Sequence, residues 1–170
     1  MSPSTKREVS AVLNGEQVSF TCDARDSLAD ALRGELGIRG VRLGCEQGVC
    51  GACTVTFNGE TARACLMLGQ QADGASIQTV EGMAEDTQLH TLQQAFTACH
   101  ALQCGFCTSG FLAVAEELLR SNPRPTRDQI REGISGNLCR CTGYQNIVDA
   151  IEMAAYVEQS HNKNPDEGVR

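Results

Sequence analysis

Eight of the ten cysteines fall into two constellations, and that clustering restricts the fold more than any other property of the 170 residues. The first is Cys45-x4-Cys50-x2-Cys53, followed after 11 intervening residues by Cys65. The second is Cys104-x2-Cys107 and, after 31 residues, Cys139-x-Cys141. Cysteine makes up about 6% of the chain, below the roughly 8–10% that marks short secreted disulfide scaffolds. The opening MSPSTKREVS has no apolar stretch of the secretory kind, and the longest apolar runs are too short to span a membrane. These features predict a cytoplasmic chain whose thiols stay reduced and bind metal.

Charge narrows the partners. With 14 basic against 21 acidic side chains the chain carries a net charge of -7, and no Lys/Arg block interleaved with aromatics occurs. That excludes the electrostatic footprint of nucleic-acid binding and disfavours anionic membranes. Aromatics at 4% and the absence of Trp leave thin cores. If the length is divided into two domains of about 80 residues, each needs a staple such as a metal or a partner subunit.

Hydropathy changes period along the chain. Val9, Ala11 and Leu13 recur at period two, Asn14-Gly15 signals a tight turn, and Val18-Ser19-Phe20 resumes the strand. Ser27 is placed to cap a helix whose face is Leu28, Ala31, Leu32 and Leu36, with Gly37 as the stop. A second hairpin runs from Thr54 to Phe57, turns at Asn58-Gly59 and returns from Thr61 to Cys65. Strands with one helix predict a small β-grasp-like α+β unit. From about residue 88 the spacing is helical: Leu89, Leu92, Ala95 and Phe96; Phe111, Leu112, Ala115, Leu118 and Leu119; Ile147, Val148, Ile151 and Ala155. Thr126 with Gln129 forms a capping box after the Pro123/Pro125 break, which opens a fourth helix. The polar, glycine-containing stretch from Gly69 to Gly82 is the expected boundary between the halves.

The C-x4-C-x2-C start is the plant-type [2Fe-2S] spacing. A cluster held by four thiolates is anionic, so its loop needs backbone N–H donors and left-handed residues, and Gly44, Gly48 and Gly51 stand where that demand arises. Two well-separated pairs, as in the second set, also describe a four-cysteine zinc site. The single residue between Cys139 and Cys141 is unusual for zinc and can place two thiolates on one iron. Cys107 stands just before a helix beginning near Thr108, whose dipole favours thiolate.

The strings GCEQGVCGACTV (44–55), QCGFCTSG (103–110) and GNLCRCTGY (136–144) resemble, in order and spacing, the small iron-sulfur subunit of the molybdenum hydroxylases, the xanthine oxidase family. The resemblance runs over roughly residues 8 to 157. It implies a ferredoxin-like β-grasp domain (1–82) and an all-α four-helix-bundle domain (83–158), while composition alone marks 159–170 as a polar tail, mobile unless a partner holds it. It also implies two [2Fe-2S] clusters, one on Cys45, Cys50, Cys53 and Cys65, the other on Cys104, Cys107, Cys139 and Cys141. In that family a large subunit carries molybdopterin-bound molybdenum and a medium subunit carries FAD, so the implied assembly is a heterotrimer, paired into a dimer of heterotrimers. The second set would lie nearer the pterin, with Gln103 and Cys141 at the pterin-facing edge. The first would lie nearer the flavin, with Gly48 in the flavin-facing loop. The chain would relay single electrons and carry no catalytic residue of its own. Eight thiolates around two oxidised cores of about +2 each would take the formal charge of -7 to roughly -11, a charge that burial against partners would screen.

The remaining candidates read as structural. Cys22 and Cys99 are expected to be small buried hydrophobes, His90 and His161 surface or capping residues, and His100 no ligand despite its position beside Cys99. Arg140, between two cysteines, is a candidate tuning cation. Two rival readings are a free-standing two-cluster ferredoxin and a zinc-stabilised interaction module.

Overall fold

Residues 6–84 and 88–162 are described by the computed structural model, the side chains of residues 158–162 lying outside it. Three expectations fall partly or wholly beyond those limits: the polar tail, the side chain of His161 and the first five residues.

Strand β1 (Lys6–Leu13) pairs antiparallel with β2 (Glu16–Asp23), and β3 (Thr54–Phe57) with β4 (Glu60–Arg63). Both hairpins turn on Asn-Gly with positive φ at each central residue, 52° and 86° at Asn14-Gly15 and 51° and 89° at Asn58-Gly59. This backbone matches the strand twist and suits Asn-Gly. The fifth strand, β5 (Ser76–Gln78), joins the hairpins: Leu13 faces Ile77 in parallel, and Phe57 faces Ile77 antiparallel. The sheet order is β2-β1-β5-β3-β4. The stretch expected to act only as a boundary therefore contains a central strand.

Helix α1 (Leu28–Gly34) packs on this sheet. Its start is fixed by reciprocal bonds, Asp30 N–H to Ser27 Oγ at 3.1 Å and Ser27 N–H to Asp30 Oδ2 at 3.2 Å. It ends earlier than expected, leaving Leu36 half-buried in the loop beyond it. Leu28 and Leu32 are fully enclosed and join Val9, Phe20, Val55 and Ile77 in the first core. Each such side chain contributes roughly 1.5–3 kcal/mol on burial.

The second half contains α2 (Thr91–Ala98), α3 (Thr108–Ser121), α4 (Arg127–Gly133) and α5 (Gln145–Asn162). Five helices are thus present among the described residues, one in the first half and four in the second. His90 caps α2, its Nδ1 accepting from Leu92 N–H at 3.3 Å, and Thr126 caps α4 through the expected box with Gln129. Leu92, Phe96, Phe111, Ile130, Ile147 and Ile151 fill the second core. Leu89, expected in the α2 stripe, precedes the helix and is exposed.

The halves touch through polar contacts as well as packing. Helix α3 reaches β3 and β4, where Glu117 accepts from the N–H and hydroxyl of Thr61 at 2.8 and 2.6 Å. Arg120 donates to the Gly59 carbonyl. Within the first half, Glu81, in the turn after β5, accepts from Arg39 N–H (3.0 Å), Gly40 N–H (2.6 Å) and Thr79 Oγ1 (2.7 Å).

Candidate metal centres

The first cysteine loop is built from left-handed residues. Glu46, Gly48 and Gly51 have φ of 55°, 80° and 75°, a sequence of reversals that turns backbone N–H groups toward the thiols. Cys50 N–H lies 3.3 Å from Cys45 Sγ, and the N–H groups of Gln47 and Cys50 draw the Cys45 thiol down to about 6. Cys53 is buried at the start of β3, and burial pushes its thiol up to about 11. Cys65 sits on a single turn after β4 rather than on the strand, and that turn brings it against Cys53.

The second set is gathered across the helical half. Cys104 and Cys107 precede α3, with Cys107 at its N-cap; Cys139 and Cys141 occupy the loop between α4 and α5. Cys104 Sγ and Cys141 Sγ lie 3.5 Å apart, and Cys107 meets Cys139. Burial, with the neighbouring Cys139, raises Cys107 to about 12, the opposite of the lowering expected from its place at the start of α3. Burial also opposes ionisation of Cys139, but the Thr142 hydroxyl and N–H, at 3.1 and 3.4 Å from its sulfur, outweigh it and hold the thiol below its ordinary value. Tyr144 accepts from Cys139 N–H at 2.9 Å and stacks edge-on against Phe111 in the core, which anchors the loop.

The eight thiols therefore meet as four pairs: Cys45 with Cys50, Cys53 with Cys65, Cys104 with Cys141, and Cys107 with Cys139, so Cys139 and Cys141 fall in different pairs and not together on one iron as their spacing suggested. Among the described residues no three Cys, His, Asp or Glu side chains converge as a single ion requires. Paired thiols suit a two-iron core, in which each iron takes two thiolates. Thr108 Oγ1 and Ser109 Oγ, on the first turn of α3 beside Cys107, are buried without a hydrogen-bond partner, leaving two donors for a sulfur-rich anion. Both sites fit [2Fe-2S] clusters.

The two loops are joined directly. Leu138 N–H donates to the Cys50 carbonyl at 2.9 Å. Asn137, 1% exposed, donates to the Gly51 carbonyl at 3.3 Å and accepts from Arg63 at 3.0 Å, while Arg63 also reaches the Gly136 carbonyl at 2.7 Å. A Cβ on Gly51 would come within 2.5 Å of Asn137 Oδ1, and one on Gly110 within 2.2 Å of the Gly51 carbonyl. Asn137, Arg63 and Thr142 were not singled out by sequence reasoning. Asn137 and Thr142 lie inside the GNLCRCTGY string, whereas nothing in the sequence around Arg63 marks it.

The family profile described as 2Fe-2S iron-sulfur cluster binding domain matches residues 11–76, and that described as [2Fe-2S] binding domain matches residues 79–152. The chain is 53% identical over 150 residues to the nicotine 6-hydroxylase small subunit of Paenarthrobacter nicotinovorans, covering 88% of this chain and 90% of that one. It belongs to the small iron-sulfur subunits of the molybdenum hydroxylases. Another member, the caffeine dehydrogenase subunit gamma of Pseudomonas sp. (strain CBB1), is 53% identical over 147 residues, covering 85% of this chain and 88% of that one. Among solved structures, quinoline 2-oxidoreductase from Pseudomonas putida 86 superposes with a TM-score of 0.89 at 50% identity, covering 92% of this chain and 98% of the matched one. As an iron-sulfur subunit the chain carries two [2Fe-2S] clusters and transfers electrons within a multi-subunit oxidoreductase, catalysis residing on other subunits.

The other sequence candidates are placed as follows. Gln103 donates from Nε2 to the Cys141 carbonyl at 3.1 Å, so the two residues are neighbours. Gly48 turns against Leu66, whose Cδ1 lies 2.5 Å from where a Cβ would stand. Arg140 is exposed between the two loop thiols. Cys22 is buried in the first core; Cys99 is half-buried, 3.7 Å from Met153 Sδ, and His100 is exposed at a left-handed turn. No described helix is long and apolar enough to cross a membrane.

Proposed function

We propose that Cys45, Cys50, Cys53 and Cys65 hold one [2Fe-2S] cluster and Cys104, Cys107, Cys139 and Cys141 the other. The observation that carries this assignment is the meeting of the eight thiols in four pairs. When bound, each cluster takes up and returns one electron. The chain's own part is to fix the thiols, supply backbone and hydroxyl donors to them, and keep the two loops in contact. The Leu138 to Cys50 hydrogen bond links the residue before Cys139 to a first-set cysteine and so connects the two sets.

The assignment extends to direction. Gln103 and Cys141 form the edge toward a molybdopterin on a large subunit, and Gly48 lies in the loop toward FAD on a medium subunit. Exposed apolar side chains beside both sets, Val49 and Leu66 at the first and Leu102 at the second, support docking of a partner at each end. The assembly is a heterotrimer, paired into a dimer, and cytoplasmic. The chain divides at residues 1–82 and 83–158, the latter a four-helix bundle, with 159–170 as a tail whose first four residues continue α5 rather than leaving it at 158 as expected.

Metal and sulfide analysis of the natively purified complex tests the reading. The expected result is about four irons and four acid-labile sulfides per copy of this chain, with molybdenum in a larger co-eluting assembly. Zinc without sulfide would overturn the iron-sulfur assignment, and full iron on a chain that elutes alone would favour a free carrier.

A further inference from the structure

Phe106 lies between Cys104 and Cys107 in sequence, yet its ring reaches the other cysteine loop. A Cβ built on Gly44 would stand 3.3 Å from Phe106 Cε1 and 3.2 Å from Cys50 Sγ. One point beside Gly44 thus touches both a first-set sulfur and an aromatic edge delivered by the second-set loop. A methyl group there would crowd both neighbours and push the ring or the sulfur aside by a few tenths of an ångström. Along the same seam run the Leu138 to Cys50 hydrogen bond and the close approach of Gly110 to Gly51.

Phe106 is 43% exposed and Leu138 50%. The ring is therefore a cover on the seam and not part of either core. Its position matters because one-electron reduction adds negative charge to a cluster, and water donating to the thiolates stabilises that charge. An apolar cover withholds those donors, which disfavours the reduced state and lowers the reduction potential.

We propose that Phe106 is a positioning residue shared by both centres: an aromatic lid over the seam between the cysteine loops that keeps water from Cys50 and holds down the potential of each cluster. The proposal rests on the iron-sulfur assignment above. It predicts coupling of an unusual kind, since a residue lodged in the second-set loop governs the first-set cluster.

The test is an EPR-monitored redox titration of the holo complex, with the two signals assigned beforehand by their individual loss in Cys45→Ser and Cys141→Ser. In Phe106→Ala both midpoints are expected to shift upward, and in Phe106→Leu, which retains apolar volume, to stay near the unaltered values. A shift confined to the second-set signal, or no shift, would overturn the proposal. If Phe106→Ala fails to load iron, Gly44→Ala serves instead: it keeps the ring but displaces it, and an unmoved first-set midpoint would overturn the proposal equally. Absence of two signals from the unaltered complex would defeat the iron-sulfur assignment itself, a separate outcome.

Discussion

The two cysteine sites solve the same problem by opposite routes. The first takes three thiols from one loop of left-handed residues and a fourth from the adjoining hairpin, so its geometry is local. The second draws its pairs from segments separated by 31 residues, brought together only because α3, α4 and α5 pack around one core. A local site depends on backbone conformation; a gathered site depends on tertiary packing. The same difference appears in the donors, which are backbone N–H groups at Cys45 and the Thr142 side chain and backbone at Cys139.

The most severe way to break the comparison is to remove one of the proposed ligands from the gathered site. Cys139→Ala is expected to lose about half the iron, with the first-set EPR signal retained; loss of both signals would show that the local site also depends on its neighbour. Gly51→Ala attacks the seam. The new methyl must occupy a φ of 75° and collide with Asn137 and Gly136, which strains the backbone by about 1–2 kcal/mol before any clash. A lower thermal midpoint with both clusters present is expected, and an unchanged midpoint would show that the seam yields freely.

Glu81 provides a gentler test. Burial works against its ionisation, but Thr79 Oγ1 and the N–H groups of Gly40 and Arg39 outweigh it, holding the carboxyl below its ordinary 4.5. A depressed folded-state value stabilises the fold above the unfolded value and is lost as pH falls through the folded one. Glu81→Gln is therefore expected to melt earlier than the parent at neutral pH, with the gap closing below about pH 4.5; a gap independent of pH would contradict this. The smallest effect is electrostatic. Arg140→Gln removes a cation beside Cys139 and Cys141 and is expected to lower the second-set midpoint slightly, leaving the first unmoved.

How much of this was legible in the sequence follows the same division. The hairpins were readable because Val9, Ala11 and Leu13 alternate and Asn-Gly marks each turn. The closeness of Cys45, Cys50 and Cys53 was readable because their spacing is set within one loop. Strand β5 was not, since three residues cannot display an alternation and Ser76–Gln78 is held by pairing with distant strands. Leu36 missed its helix because α1 stops at Gly34. The meeting of Cys104 with Cys141 was likewise beyond periodicity: spacing grouped the four second-set cysteines but could not say which of them would touch. Arg63 went unnoticed for a related reason: its partners Gly136 and Asn137 lie more than 70 residues away.

The central position of β5 has a consequence for biosynthesis. During translation, Cys45 through Cys65 leave the ribosome before Ser76–Gln78, the strand that must slide between β1 and β3 to complete the sheet. The nascent chain thus passes through a stage in which all four first-set thiols are made while their domain is still an open pair of hairpins. At that stage the β3–β4 hairpin between Cys53 and Cys65 has no partner strand, and it gains one only when β5 pairs with β3.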